Sequence, residues 1–177
     1  MDAKREASPP PFSRRRLGQQ PPTEKKEPFL FPLLSKSIAH SDLGVRYSAL
    51  QLVRALSRAI AVLRTGIVDT DIPTKVTGVI SEESEHRAVL IAALMVVCNL
   101  LNDYAPFRED LIKRKIVHHL ARHTHSSDDD IRLNALWAIK NALYHAKTSE
   151  IADITDVLTW DHLVKYASPL FRKELSS

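Results

Sequence analysis

The feature that most constrains this chain is a helix-like block that occurs three times at nearly constant spacing. The three copies read VRYSALQLVRAL, VLIAALMVVCNL and IRLNALWAIKNAL. An Ala-Leu pair in each copy gives the period, because Ala49 and Ala93 are 44 residues apart and Ala93 and Ala135 are 42 apart. A period in the low forties without a strand pattern predicts stacked helical units, each of which buries its apolar face on its neighbours.

The internal layout of the units identifies the kind of stack. Each block follows a plausible N-cap: Ser41 or Asp42 for the first, Ser84–Glu85 for the second and the acidic run Asp128–Asp130 for the third. Shorter helical segments lie between the blocks. Long helices are predicted near 42–62, 86–102 and 130–146. A short, a medium and a long helix per unit is the layout of an armadillo repeat and not of a two-helix HEAT repeat. We therefore predict an all-α fold, a right-handed α-solenoid of about three armadillo repeats over residues 29–168.

The two ends of the chain differ from this array. Residues 1–28 hold six of the ten prolines and the run Arg14–Arg16, with few large apolar side chains, and so predict a disordered leader. Its basic clusters are either a nuclear-import patch or only a solvated tail. Residues 169–177 are predicted to be a C-terminal tail. Because the array opens and closes in mid-repeat, we expect a truncated product or a fragment of a longer solenoid, with ends that self-associate.

Charge and cysteine content limit the classes of partner. Residues 1–40 carry eight Lys/Arg and four Asp/Glu, which is the whole net charge of +4, so the remainder is neutral. This balance argues against nucleic-acid or membrane partners. The longest uncharged run, 88–102, has 15 residues, fewer than the roughly 20 that a membrane span needs. Cys98 is the only cysteine, so no intramolecular disulfide can form and an intracellular protein is expected.

The middle block differs from its neighbours in having no charged residue from Val89 to Leu101. The outer blocks carry charges such as Arg54 and Lys140. A helix that is apolar all round must be covered on most sides. The pattern therefore places the middle helix at the centre of the stack.

Two asparagines and a tryptophan are the candidate partner-binding residues. Asn99 and Asn141 occupy the same position in the second and third blocks, and Trp137 lies one helical turn before Asn141. An amide offers a donor and an acceptor, so a row of amides can hold the backbone of an extended peptide. The alternative is that these side chains only brace one repeat against the next. Both interpretations stay open from the sequence.

Residues that could support chemistry are few. His118, His119, His123 and His125 form a cluster in which His119 and His123 have the i, i+4 spacing of half a metal site, but no HExxH pattern follows. A solvated helix end is the preferred interpretation. Cys98 lies in the most apolar block and is expected to be a buried core residue. With only four glycines and no phosphate-binding loop, the sequence predicts no enzyme, no metal, no cofactor and no small-molecule substrate.

The blocks and their connectors together resemble a specific family. The segments VRYSALQLVRALSRAIAVLRTGIVD, VLIAALMVVCNLLNDYAPFRE and IRLNALWAIKNALYHA are similar to the armadillo subunit of the GID/CTLH ubiquitin ligase, over about residues 41–163. The resemblance implies a cytoplasmic and nuclear scaffold that docks a substrate receptor onto the catalytic subunits of a ubiquitin ligase. Through that docking it would support proteasomal degradation.

An importin-alpha-like adaptor that binds a nuclear-localisation peptide is the alternative function. It predicts repeated Trp–Asn pairs and an acidic rim on the groove. The chain has one such pair, Trp137 with Asn141, and the basic residues Arg54 and Lys140 lie beside the expected groove positions. The ligase scaffold is therefore the leading hypothesis.

Overall fold

The described part of the chain is helical throughout. The computed structural model describes residues 30–58, 67, 69–102, 105–144 and 146–159. The predicted leader over 1–28 and the predicted tail over 169–177 lie outside these residues, so both stay predictions. Every regular element within the described ranges is an α-helix.

Three long helices alternate with shorter ones. In chain order the helices are α1 Leu30–Ile38, α2 Leu43–Arg58, α3 Ile72–Ser81, α4 Arg87–Asn102, α5 Ala105–Lys113, α6 Ile116–His123, α7 Asp129–Leu143 and α8 Thr148–Val157. The long helices are α2, α4 and α7, with 16, 16 and 15 residues. Helix α7 ends at Leu143, where Tyr144 turns to an extended ψ of 121°. The repeats are thus built on α2, α4 and α7.

The beginnings of the long helices show how local sequence sets their ends. The Asp128 side chain accepts hydrogen bonds from the backbone N–H groups of Asp130 (3.0 Å) and Ile131 (3.2 Å), which is the N-cap that the acidic run predicts for α7. Helix α4 begins differently from the expected Ser84–Glu85 cap. There the ring Nδ1 of His86 accepts from the N–H of Ala88 at 3.2 Å, while Glu85 forms a salt bridge with Arg46 of α2.

Helix α4 lies at the centre of the stack, packed between α2 and α7. Nine of its sixteen residues are buried and all nine are apolar, whereas α2 buries four of sixteen. This confirms the central position that the uncharged middle block predicts. None of the helices in the described ranges is long and apolar enough to cross a membrane.

Polar contacts between units recur with the period of the repeat. Arg108 of α5 forms a buried salt bridge with Glu150 of α8 at 3.0 Å, 42 residues away. Arg122 of α6 donates to the Ile80 carbonyl oxygen of α3 at 3.0 Å, also 42 residues away. Each such bond joins one unit to the next and satisfies groups that the packing removes from water. They form a ladder of cross-unit bonds beside the apolar core.

Candidate partner-binding groove

The three long helices form a surface that contains a cavity of about 560 Å³. Its wall includes Arg54 from α2, Met95 and Asn99 from α4, and Leu133 and Trp137 from α7. Two of the three predicted site residues, Asn99 and Trp137, therefore line one cavity. The third, Asn141, is not part of its wall. We call this surface the groove.

Asn99 joins α4 to α2. Its Nδ2 donates to the carbonyl oxygen of Arg54 at 3.3 Å and to the Oγ of Ser57 at 3.0 Å. The side chain is half-buried. Both acceptors belong to the C-terminal part of α2, and the Arg54 carbonyl oxygen also accepts from the Oγ of Ser57 at 2.8 Å. The amide therefore stabilises the contact between two repeats while it borders the groove.

Asn141 makes the same kind of bond one repeat later. Its Nδ2 donates to the carbonyl oxygen of Cys98 at 2.9 Å, and only 7% of the residue is exposed. The brace that the sequence left open is thus present at both asparagines. A role for either amide in binding a partner stays a prediction.

Trp137 is the exposed aromatic side chain of the groove. It is 39% exposed, and the Nζ of Lys140 lies 5.3 Å from the centre of its ring. This is a cation–π contact, which holds the lysine beside the indole face. Large, partly exposed aromatic residues are frequent anchors of protein interfaces. Trp137 is therefore the groove residue best suited to contact a protein.

The basic residues along the groove differ in whether they form salt bridges. Arg87 of α4 bonds to Asp128 and Asp130, and the bond to Asp128 is the main reason that the pKa of the guanidinium is raised. Hydrogen bonding from Arg87 likewise lowers the pKa of Asp128. Among the described residues no carboxylate forms a salt bridge with Arg54 or Lys140.

Cys98 has the properties of a structural residue. Burial raises the pKa of its thiol to about 12, and the Sγ lies 3.2 Å from the carbonyl oxygen of Asn134. The thiolate is the nucleophilic form of cysteine, so a raised pKa keeps this side chain in its less reactive form at neutral pH. The predicted core position holds only in part, because Cys98 is partly buried and also lines the groove. Its backbone oxygen accepts the bond from Asn141. Cys98 thus contributes to the repeat contact on two sides.

The histidine cluster is dispersed by the fold. His123 is buried and its Nε2 lies 2.7 Å from the Ile80 carbonyl oxygen, whereas His118 and His125 are exposed. Burial is the main cause that lowers the pKa of both His119 and His123. Within the described ranges no group of three or more His, Cys, Asp or Glu could hold a metal ion. His123 instead joins α6 to α3.

The sequence reasoning did not identify the charged pairs between repeats. Arg46 pairs with Glu85 and Arg87 pairs with Asp128, at separations of 39 and 41 residues. The available signal was the repeat period itself, because residues about one period apart lie side by side across a repeat boundary. A search for opposite charges at that separation would have found both pairs.

Sequence comparison finds relatives but no matching family model. The chain is 28% identical over 131 residues to Armadillo repeat-containing protein 8 of Pongo abelii, which is 74% of this chain and 19% of that protein. It is 22% identical over 113 residues to GID complex subunit 5 of Schizosaccharomyces pombe, covering 64% of this chain and 14% of that protein. The chain is a homologue of both proteins. It spans about a fifth of the length of the curated relatives that it matches.

Solved structures confirm the predicted fold class. The designed armadillo repeat protein YIII(Dq)4CqI superimposes with a TM-score of 0.70 at 16% identity. The superposition covers 76% of this chain and 56% of the designed chain. A second designed armadillo protein, solved in complex with the peptide (KR)4, gives a TM-score of 0.70 at 14% identity, covering 76% and 55%. At such identities the likeness shows the armadillo fold and nothing about ligands.

Proposed function

We propose that this protein is a non-catalytic armadillo scaffold in a ubiquitin ligase complex of the GID type. In this role it docks a substrate receptor and so supports ubiquitin-dependent proteasomal degradation. The observation that carries the proposal is the homology to Armadillo repeat-containing protein 8 and to GID complex subunit 5, together with the armadillo fold. A stacked array of this kind offers an extended surface for protein partners.

The chemistry of the described residues supports a binding role over a catalytic one. The thiol of Cys98 is held in its neutral form by burial. His123 is engaged with a backbone carbonyl. The groove offers Trp137 as an exposed anchor beside Lys140. These features suit contact with another protein, and we extend the proposal to a cytoplasmic and nuclear location.

Affinity purification of the tagged chain from its own cells tests the proposal. RING-type ligase subunits and a substrate receptor should be recovered with it. Trp137→Ala should reduce that recovery because it removes the aromatic anchor of the groove. Ile151→Ala is the matched control, since Ile151 is 40% exposed on α8 and away from the groove.

The outcomes separate the scaffold from the transport adaptor. Recovery of importin beta in place of ligase subunits would support the adaptor and contradict the scaffold. The Trp137–Asn141 pair is the feature that favours the adaptor. However, the Nδ2 of Asn141 is bonded to Cys98, and the cations Arg54 and Lys140 would repel a basic peptide.

A further inference from the structure

We propose that the groove binds an extended acidic segment of a protein partner. The inference rests on the proposed function, because it names the chemistry of the partner that such a scaffold holds. It depends on three observations of the described residues: the register of Arg54 and Lys140, the engagement of the asparagine donors, and the exposure of Trp137.

The two cations occupy equivalent positions in different repeats. Arg54 lies 44 residues before Cys98, and Lys140 lies 42 residues after it, which are the two spacings of the repeat. Equivalent positions of successive units project onto the same surface of the stack. Arg54 lines the groove, and Lys140 lies against Trp137, which also lines it. The groove thus carries a positive charge at each end and the neutral Cys98 in the middle. Its wall also holds Arg87 and Asp130, which form a salt bridge with each other and so add little net charge.

The spacing of the cations fits an extended chain. Packed helices lie about 8–10 Å apart, so the two outer long helices are roughly 16–20 Å apart across α4. An extended peptide rises about 3.3 Å per residue and covers this distance with about five or six residues. Two carboxylates at that separation can approach both cations in one bound segment. Met95, between the cations, offers an apolar contact for the residues between the carboxylates.

The asparagine donors are engaged and contribute less to selecting a ligand. The Nδ2 of Asn99 donates to Arg54 and Ser57, and the Nδ2 of Asn141 donates to Cys98. Charge and the face of Trp137 therefore remain as the main means of recognition. A partly exposed cation contributes selectivity by attracting carboxylates and by repelling lysine and arginine. This favours an acidic over a basic segment.

Fluorescence anisotropy with the full chain and labelled peptides tests the inference. The probe is a peptide of about eight residues with glutamates six positions apart and leucine and serine between them. Its counterpart has lysine in place of both glutamates. We expect the glutamate peptide to bind and the lysine peptide to bind at least about tenfold more weakly. Binding of the glutamate peptide should weaken between ~0.05 M and ~0.5 M salt, because exposed charges are screened.

Charge-reversed variants assign the selectivity to the two cations. Arg54→Glu with Lys140→Glu should lose affinity for the glutamate peptide about tenfold and gain affinity for the lysine peptide. Lys36→Glu with Lys113→Glu makes the same change of net charge at exposed sites away from the groove and should leave both affinities unchanged. Circular dichroism checks that the variants fold. Arg54→Gln with Lys140→Gln replaces the reversed pair if that pair unfolds, and it should abolish the selectivity.

The experiments distinguish failure of the acidic-segment inference from failure of the proposed function. Equal or tighter binding of the lysine peptide, no binding of either peptide, or equal losses in the control variant would each overturn the acidic-segment inference. Failure of the peptides while ligase subunits still copurify would remove this inference alone. Selective peptide binding without recovery of ligase subunits would remove the proposed function and leave the groove chemistry standing.

Discussion

The first and the middle long helices carry similar apolar patterns but meet different surroundings. Val45 and Leu52 of α2 are 38% and 42% exposed, whereas Val89 and Val96, 44 residues later in α4, are fully buried. In α4 these positions lie within the apolar core of the stack, because α4 packs against both α2 and α7. The difference shows that burial in such a stack depends on the neighbouring unit as well as on the helix's own sequence.

A carboxylate at Val96 of α4 and at the equivalent Leu52 of α2 should give the largest difference in stability between two variants. Val96→Asp places a carboxylate in a fully buried position and should lower the free energy of unfolding by more than about 4 kcal/mol, enough to unfold the chain. Leu52→Asp should cost about 1 kcal/mol or less. Urea denaturation followed by circular dichroism measures both. Similar losses for the two variants would contradict the difference in burial between α4 and α2.

The same contrast applies to the ion pairs that α5 makes with α8 and with Lys147, the residue before α8. Arg108 is buried, and besides Glu150 it donates to the carbonyl oxygen of Tyr144 at 2.7 Å. Arg108→Ala should cost about 3 kcal/mol because it leaves Glu150 without its cation. Lys147 pairs with Glu109 across the same boundary at 2.8 Å but is exposed, so Lys147→Ala should leave stability nearly unchanged. Chemical denaturation of both variants decides whether depth controls the effect.

The two asparagines extend the same contrast in burial to hydrogen bonds between repeats. Asn99 and Asn141 each brace a preceding long helix, while the equivalent residue of α2 is Ala55. Asn141→Ala should cost about 1–1.5 kcal/mol, because it removes a hydrogen bond between two repeats at a residue that is only 7% exposed. Asn99→Ala should cost less, since Asn99 is only half-buried. A larger loss at Asn99 in thermal unfolding would contradict this order.

Cys98 gives the smallest expected effect. Burial raises the pKa of its thiol from 9.0 to about 12, so the unfolded chain loses this proton first as the pH rises. The contribution to stability is complete below pH 9 and is lost as the pH rises towards 12. Between pH 8 and pH 10 the free energy of unfolding should fall by about 1 kcal/mol more in the natural chain than in Cys98→Ala. Equal pH profiles for the two chains would show that the thiol is not buried.

Much of the fold follows from the repeat because the period is a long-range property of the sequence. The copies around Ala49, Ala93 and Ala135 predicted both the armadillo class and the burial of α4. The predicted Ser84–Glu85 cap of α4 was wrong, because Glu85 pairs with Arg46 of another helix and His86 takes the capping position. That choice depends on which side chains meet across a boundary. Local sequence does not contain this information.

The candidate site was only partly accessible from the sequence for the same reason. Trp137 and Asn99 were placed on one surface by helical spacing, and they do line one cavity. Whether an amide braces a neighbour or faces outward depends on its distance from the preceding helix, which the pattern does not give. Asn141 shows this, since its donor lies 2.9 Å from the Cys98 carbonyl oxygen.

The cross-unit bonds have a consequence for the speed of folding. Their partners are separated by about one repeat, as in Arg108–Glu150 and Asn141–Cys98, at 42 and 43 residues. Each boundary can therefore form after closing a loop of that one length, and the entropic cost of closure does not grow with the number of units. A longer array of such units should then fold boundary by boundary, at a rate set by its fastest neighbouring pair and not by its total length.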